Sequence, residues 1–263
     1  MSTLFQHLAE SLRRPDHWVY ASWLDTVTKY RKTSLGILWL LVPTVVYIWG
    51  IGGFLAALQP SANAKQFLAH VAVGFVVFRL IITVVSDATG VFGAYQSYIY
   101  DGNLRLTDFI LRTLARSVYY FVFTLPLLAV AVLGSPEFQV AGIPIALFGV
   151  VVVIVNLFLL AVPLSLLGAR FPDVGELMGS VMMAAFLITP VVWYPAAAPE
   201  GTVQGALMRA NPFHHLLAVV RSPLLNESLE PLTWYYLATM TVVGLVAAAF
   251  AYRAFARRVP VWL

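Results

Sequence analysis

Residues 1–33 mix polar and apolar positions, and beyond them the chain falls into long uncharged runs at about 34–58, 66–91, 110–134, 143–168, 177–194 and 233–254. A helix needs roughly 20 apolar residues to cross the hydrocarbon core of a bilayer, so these runs predict an all-α polytopic membrane protein with about six transmembrane helices. Gly134-Ser135-Pro136 and Arg170-Phe171-Pro172-Asp173 carry the punctuation of short loops and join neighbouring runs as hairpins. The apolar run at 213–220 is too short to cross, so 195–232 reads as an external re-entrant or interfacial segment. The expected organisation is an N-terminal region over 1–33, a membrane domain over 34–254 and a tail over 255–263.

Composition agrees with that pattern. Of 263 residues, 60% are hydrophobic and 11% charged, where soluble domains carry roughly a quarter charged. The opening residues lack a basic stub followed by a short apolar core and a small-residue cleavage site, so no cleaved signal peptide is expected. The absence of cysteine excludes disulfides, thiolate metal sites and a cysteine nucleophile. The net charge of +4 follows the spans rather than a nucleic-acid surface. Arg13, Arg14, Lys29, Arg31, Lys32, Arg105, Arg112, Arg116, Arg170, Arg253, Arg257 and Arg258 fall on one side, against Lys65, Arg209 and Arg221 on the other. The positive-inside rule makes the first side cytoplasmic, with both termini on it and an even number of crossings.

Several features bear on chemistry. Within 16–33, Val19, Tyr20, Trp23, Leu24, Val27 and Tyr30 recur at helical spacing, which predicts an amphipathic helix in the interface, serving as an anchor or as a docking or gating element. The stretch 94–109, with its turn at Asp101-Gly102-Asn103, and the stretch 170–176 read either as solvated connections or as docking loops. Arg79 sits inside an apolar run, and Asp87 lies about two turns further along a similar face. A charge at that depth is either half of a structural pair or a substrate contact. Trp39, Tyr47 and Phe54, and likewise Phe186 and Trp193, stand near heptad spacing. Each set tends to one helix face, which either lines a path for sugars or packs against protein and lipid. The adjacent His214 and His215 diverge on a helix and complete no metal site. The chain has no GxxxxGK[ST] run and no clustered catalytic acids, so it reads as a non-enzyme whose ATP, if any, is used by another chain.

Taken in order, these features resemble the ABC-2 type transporter permeases, in the branch that exports polysaccharide such as O antigen, capsule or teichoic acid. Tyr30-Arg31-Lys32, then Leu35-Gly36-Ile37-Leu38-Trp39 and Pro43, resembles the family's basic entry into its first span. Phe171-Pro172-Asp173 is similar to its short cytoplasmic loop, and Thr189-Pro190-Val191-Val192-Trp193-Tyr194-Pro195 to its Ser-Pro-hydrophobic-Tyr-Pro exit, with Thr for Ser and one extra residue. Asn211-Pro212 followed by Arg221 resembles the external segment before the last span. Gly93-Ala94-Tyr95-Gln96 looks more like the capsule branch, because the KV-aromatic-Pro pattern of O-antigen members is missing.

The resemblance implies a multi-pass protein of the bacterial inner membrane that pairs with a second copy of itself and with two ATP-binding cassette subunits, which bind ATP and Mg. Its cargo would be a lipid-linked polysaccharide and its surroundings membrane lipids, with no nucleic acid involved. On that basis Trp39, Tyr47, Phe54, Phe186 and Trp193 are candidates for the translocation path, and Arg31 and Lys32 for entry of the lipid head group. Asp101, Arg105, Arg170, Asp173 and Glu176 are candidates for coupling to the ATPase. The alternatives are an ABC-2 exporter of a small molecule or lipid, and a membrane-embedded enzyme acting on lipid-linked sugars.

Overall fold

The computed structural model describes residues 3–58, 63–102 and 104–263, so Asn103 of the expected turn lies outside the described residues. All regular elements among the described residues are helical. They are α1 (Leu4–Leu12), α2 (Val19–Tyr30), α3 (Gly36–Ala57), α4 (Ala64–Ala94), α5 (Leu106–Leu133), α6 (Ile143–Arg170), α7 (Val174–Ile188), α8 (Val203–Ala210), α9 (Pro212–Leu224) and α10 (Pro231–Phe255). Short helical turns lie at Gln96–Tyr100 and Val259–Trp262. Five of the helices, α3, α4, α5, α6 and α10, are long and apolar enough to cross a membrane.

The centre of the bundle is α4, which packs against α5, α6, α7 and α9. Its run from Ala69 through Gly74 is wholly buried and, His70 apart, apolar, and a helix apolar nearly all round is stable only in such a core or in lipid. The approach of α4 to α6 depends on Gly168, because a Cβ there would run into the carbonyl of Thr89. Small residues at such crossings let membrane helices pack through close contact where hydrophobic driving force is absent. The peripheral helices α3, α7 and α10 leave broad apolar faces open, among them Phe54, Met183, Leu187 and Phe250.

Two elements differ from the sequence expectation. The predicted fifth span, 177–194, is instead a 15-residue helix that stops at Ile188, with Thr189 extended at ψ 134°. Pro190 follows, and the residue before a proline is pushed out of the α region. Fifteen residues rise only about 22 Å, short of the roughly 30 Å core; the chain continues through turns and bends over 189–193. Gly74 of α4 accommodates that stretch, since a Cβ there would stand 3.0 Å from the carbonyl oxygen of Val191.

The second difference is α3, whose 22 residues wind as 3-10 helix (Gly36–Leu40), a short α turn, π helix (Val46–Gly52) and α helix (Gly53–Ala57). Pro43 and the Gly50, Gly52 and Gly53 cluster are poor formers of regular α helix.

Ahead of the spans, α1 was not anticipated by the apolar pattern. Its start is closed by a capping box between Thr3 and Gln6. The two ends of the chain meet at one end of the bundle, where His7 Nδ1 lies 2.6 Å from the Tyr252 hydroxyl. Gln96 also donates to the Leu263 carbonyl at 2.6 Å. This end holds the end of α4, the start of α5 and the ends of α6 and α10, and is called the basic end below; the turn at 134–142 and the end of α9 mark the opposite end, joined by Gln139 N–H to Leu224 O at 2.9 Å.

Replacing Gly168 by Ala is expected to destabilise the protein by about 1–3 kcal/mol, the usual cost of overpacking. Gly179→Ala, where nothing lies within 4 Å of the new Cβ, is the matched control and should leave the midpoint unchanged or raised. Thermal unfolding of the detergent-purified variants checks both.

Candidate functional site

At the basic end, α2 is fixed to the spans through its polar side. Asp25 receives both Arg112 nitrogens of α5 at 2.6 and 2.7 Å and the Tyr95 hydroxyl at 2.8 Å. The Arg112 guanidinium also lies over the Tyr95 ring, 4.5 Å from its centroid. Burial alone would raise the Asp25 carboxyl, but the hydrogen bonds from Arg112 and Tyr95 outweigh it and hold the group below its ordinary range. Ser22 and Thr26 on the same side are wholly buried, whereas Tyr20, Leu24 and Val27 are exposed. The apolar stripe therefore faces outward, as suits a helix lying on lipid, except that Trp23 stacks on Phe123 at 6.0 Å. α1 is pinned by Glu10 to Arg105 at 2.6 Å and by Ser11 to Thr107 at 2.7 Å.

Of the loop residues singled out for coupling, Arg170 reaches the terminal turn Val259–Trp262. Asp101 is exposed, and Arg105 is engaged with Glu10. Arg170 lies over the rings of Phe171 and Trp262 at 5.4 and 5.9 Å. Asp173 and Glu176 are exposed at the start of α7, where negative charge complements the helix dipole. A cavity of about 480 Å³ opens here, lined by His7, Gly102, Arg105, Tyr252, Arg253 and Arg257. Arg31 and Lys32 stand exposed just before α3.

Arg79 and Asp87 do not pair. Asp87 is bound by Arg116 of α5 at 2.8 Å. Arg79 donates to the Thr44 hydroxyl at 2.7 Å and to the Leu40 carbonyl at 3.2 Å. Two helical turns separate the charges by about 12 Å along the axis, so each reaches a different neighbour. Pro43 has no N–H to return to the Leu40 carbonyl, and the guanidinium takes that acceptor.

The aromatic candidates divide. Tyr47 stacks on Phe75 at 3.9 Å and meets Phe186 edge-on at 5.8 Å, and Phe78 links Phe186 at 5.3 Å to Phe213 at 6.3 Å. Trp39 and Phe54 are 42% and 64% exposed and join no such ladder. Their heptad spacing does not keep them on the face of Tyr47, because the 3-10 and π segments of α3 change the angular step per residue. Trp193 donates its ring N–H to the Leu187 carbonyl at 3.1 Å, closing the end of α7.

Towards the opposite end lies a buried network that sequence reasoning missed. Arg221 of α9 is 1% exposed and donates to Glu227 at 2.9 Å and to the Pro190 carbonyl at 2.5 Å. His70 of α4 bonds the other Glu227 oxygen at 2.6 Å and the Trp193 carbonyl at 3.0 Å. Burial would raise the Glu227 carboxyl, but the bond from His70 and the charge of Arg221 prevail and hold it below its ordinary range. Beside it is a cavity of about 250 Å³ lined by Tyr194, His214, Ser222 and Glu230. The only sequence signal was an arginine and a glutamate six residues apart; His70, 157 positions from Glu227, gave none. His215 is spent on the Thr233 hydroxyl and the Arg209 carbonyl. Among the described residues no three His, Cys, Asp or Glu side chains gather as a metal site would require.

Arg221→Met is expected to cost about 3–5 kcal/mol, as removal of one partner from a buried pair does; Arg221→Met with Glu227→Gln should recover part of that loss in thermal unfolding. The depressed pKa of Glu227 means the unfolded chain binds the extra proton first. Its stabilisation is therefore complete above the ordinary value of 4.5 and is lost as pH falls through the lower folded value. The wild-type midpoint should drop in that acid range, and the drop should shrink in Glu227→Gln.

No protein-family model and no curated protein matches this chain, so its own residues carry the functional reading.

Proposed function

We propose that this chain is the membrane-spanning subunit of an ATP-driven, ABC-2 type exporter that moves a lipid-linked polysaccharide, of capsule or O-antigen type, across a bacterial inner membrane. Two copies would join two separate ATP-binding subunits, since the sequence carries no phosphate-binding loop of its own. The observation that supports this reading best is the gathering at the basic end of α2, the turn Gln96–Tyr100, the end of α6 and the terminal turn. By the positive-inside rule that end is cytoplasmic, where a soluble motor would dock.

A motor can shift the permease only by binding one of its arrangements more tightly than another. The Asp25, Arg112 and Tyr95 lock makes α2 and the base of α5 one body, so closure of the ATPases on the loops would be passed to the spans without slack. The exposed faces of α3 and α7, which meet at Tyr47 and Phe186, would then face the second copy across the conduit. Rings at that seam suit sugars, whose C–H faces pack on aromatic surfaces, and the exposed cations Arg31 and Lys32 suit a phosphate or pyrophosphate head group arriving along the interface.

Co-expression with a cognate ATP-binding cassette subunit is expected to yield a stable complex, and deletion of the chain should trap glycan inside the cell. A deletion strain with normal surface glycan, or a purified chain that hydrolyses ATP unaided, would refute the proposal. Replacing both Arg31 and Lys32 by Ala should leave that complex intact and reduce glycan export at least tenfold, the effect of losing about 1.4 kcal/mol of head-group attraction; surface-glycan immunoblots measure it.

A further inference from the structure

Between the outer faces of α6 and α10, close to the basic end, runs an apolar groove of about 430 Å³. Pro163, Leu166 and Leu167 form one wall, Ala247, Phe250 and Ala251 the other. Arg170 and Arg258 stand at its mouth. Among the described residues neither has a carboxylate within salt-bridge distance, whereas Arg105, Arg112, Arg116, Arg209 and Arg221 all do. Each is held instead by aromatic faces. Arg170 lies over Phe171 and Trp262, and Arg258 lies over Phe255 at 5.9 Å. A stacked guanidinium keeps its N–H edges available, and a pair of them presents a fork suited to phosphate.

We infer that this groove is a binding site for one anionic glycerophospholipid of the surrounding bilayer, with an acyl chain in the slot and the phosphate on Arg170 and Arg258. The two parts of the site select that occupant jointly. A free phosphate would use the arginines and leave the apolar slot empty. A zwitterionic lipid would fill the slot, but its own cation would stand against two uncompensated guanidiniums. Leu167, Phe171 and Phe250 are half to two-thirds exposed and need an apolar cover. The site is separate from the seam at Tyr47 and Phe186, and the inference requires only that the chain is embedded in a membrane, whatever it transports.

The test is native mass spectrometry of the detergent-purified full chain titrated with phosphatidylglycerol or phosphatidylcholine. The wild type should bind the first phosphatidylglycerol more tightly than the first phosphatidylcholine. Arg170→Gln with Arg258→Gln should weaken phosphatidylglycerol about 30-fold, as loss of two cations facing an anionic head group implies, and leave phosphatidylcholine unchanged. Arg170→Lys with Arg258→Lys should keep the preference, which separates lost charge from lost packing. Ala247→Phe, which fills the slot at an exposed position, should weaken both lipids while inorganic phosphate fails to compete. An unchanged preference in the Gln variant, undiminished lipid binding in Ala247→Phe, or displacement by inorganic phosphate alone would each overturn the inference.

Discussion

Inside a bilayer no water is available to an exposed backbone amide, so every break in a helix must find its hydrogen bonds from protein. Two irregular stretches of this chain, at Pro43 in α3 and at Pro190 after α7, each receive such a bond from a neighbour's side chain. Arg79 of α4 takes the Leu40 carbonyl. Arg221 of α9 takes the Pro190 carbonyl, and His70 of α4 takes the Trp193 carbonyl three residues later. In each case a buried or half-buried polar side chain supplies the donor that a carbonyl in an irregular stretch lacks.

The same constraint explains which parts are rigid. α4 supplies Arg79 and His70, stands at the centre of the bundle and accepts close approach from α6 at Gly168 and from the Val191 backbone at Gly74. Around it, α3, which winds irregularly, and α7, which ends in an irregular stretch, are both peripheral and both have exposed apolar faces. Irregular winding held by side-chain bonds has alternatives within reach that a continuous α helix lacks, because a carbonyl can exchange one donor for another. At the basic end the arrangement is different: Asp25, Arg112 and Tyr95 form a bidentate, ring-backed lock of the kind that transmits displacement rather than absorbing it.

Hydrophobic run length alone determined the all-α class, the membrane setting and the positions of α4, α5, α6 and α10, because a bilayer imposes one length and one backbone solution on any crossing. Charge asymmetry marked the end where α2, the loops and the termini collect. What a linear pattern cannot carry is pairing across the fold. Asp87 lay in register with Arg79, yet Arg116 of the next helix was nearer. Trp39, Tyr47 and Phe54 stood near heptad spacing, eight and seven residues apart, which tends to one face only while the helix stays regular, and Pro43 with the glycines of α3 ended that. The halt of α7 at Ile188 was written in Thr189-Pro190, but hydropathy, which continues apolar to Trp193, hides it. The His70, Glu227 and Arg221 network spans 157 positions, and only packing α9 against α4 brings its members within hydrogen-bond reach. Burial length is a local property and reads directly from the chain; the partner of a buried charge is decided by whichever helix packs nearest, and that is settled only when the bundle closes.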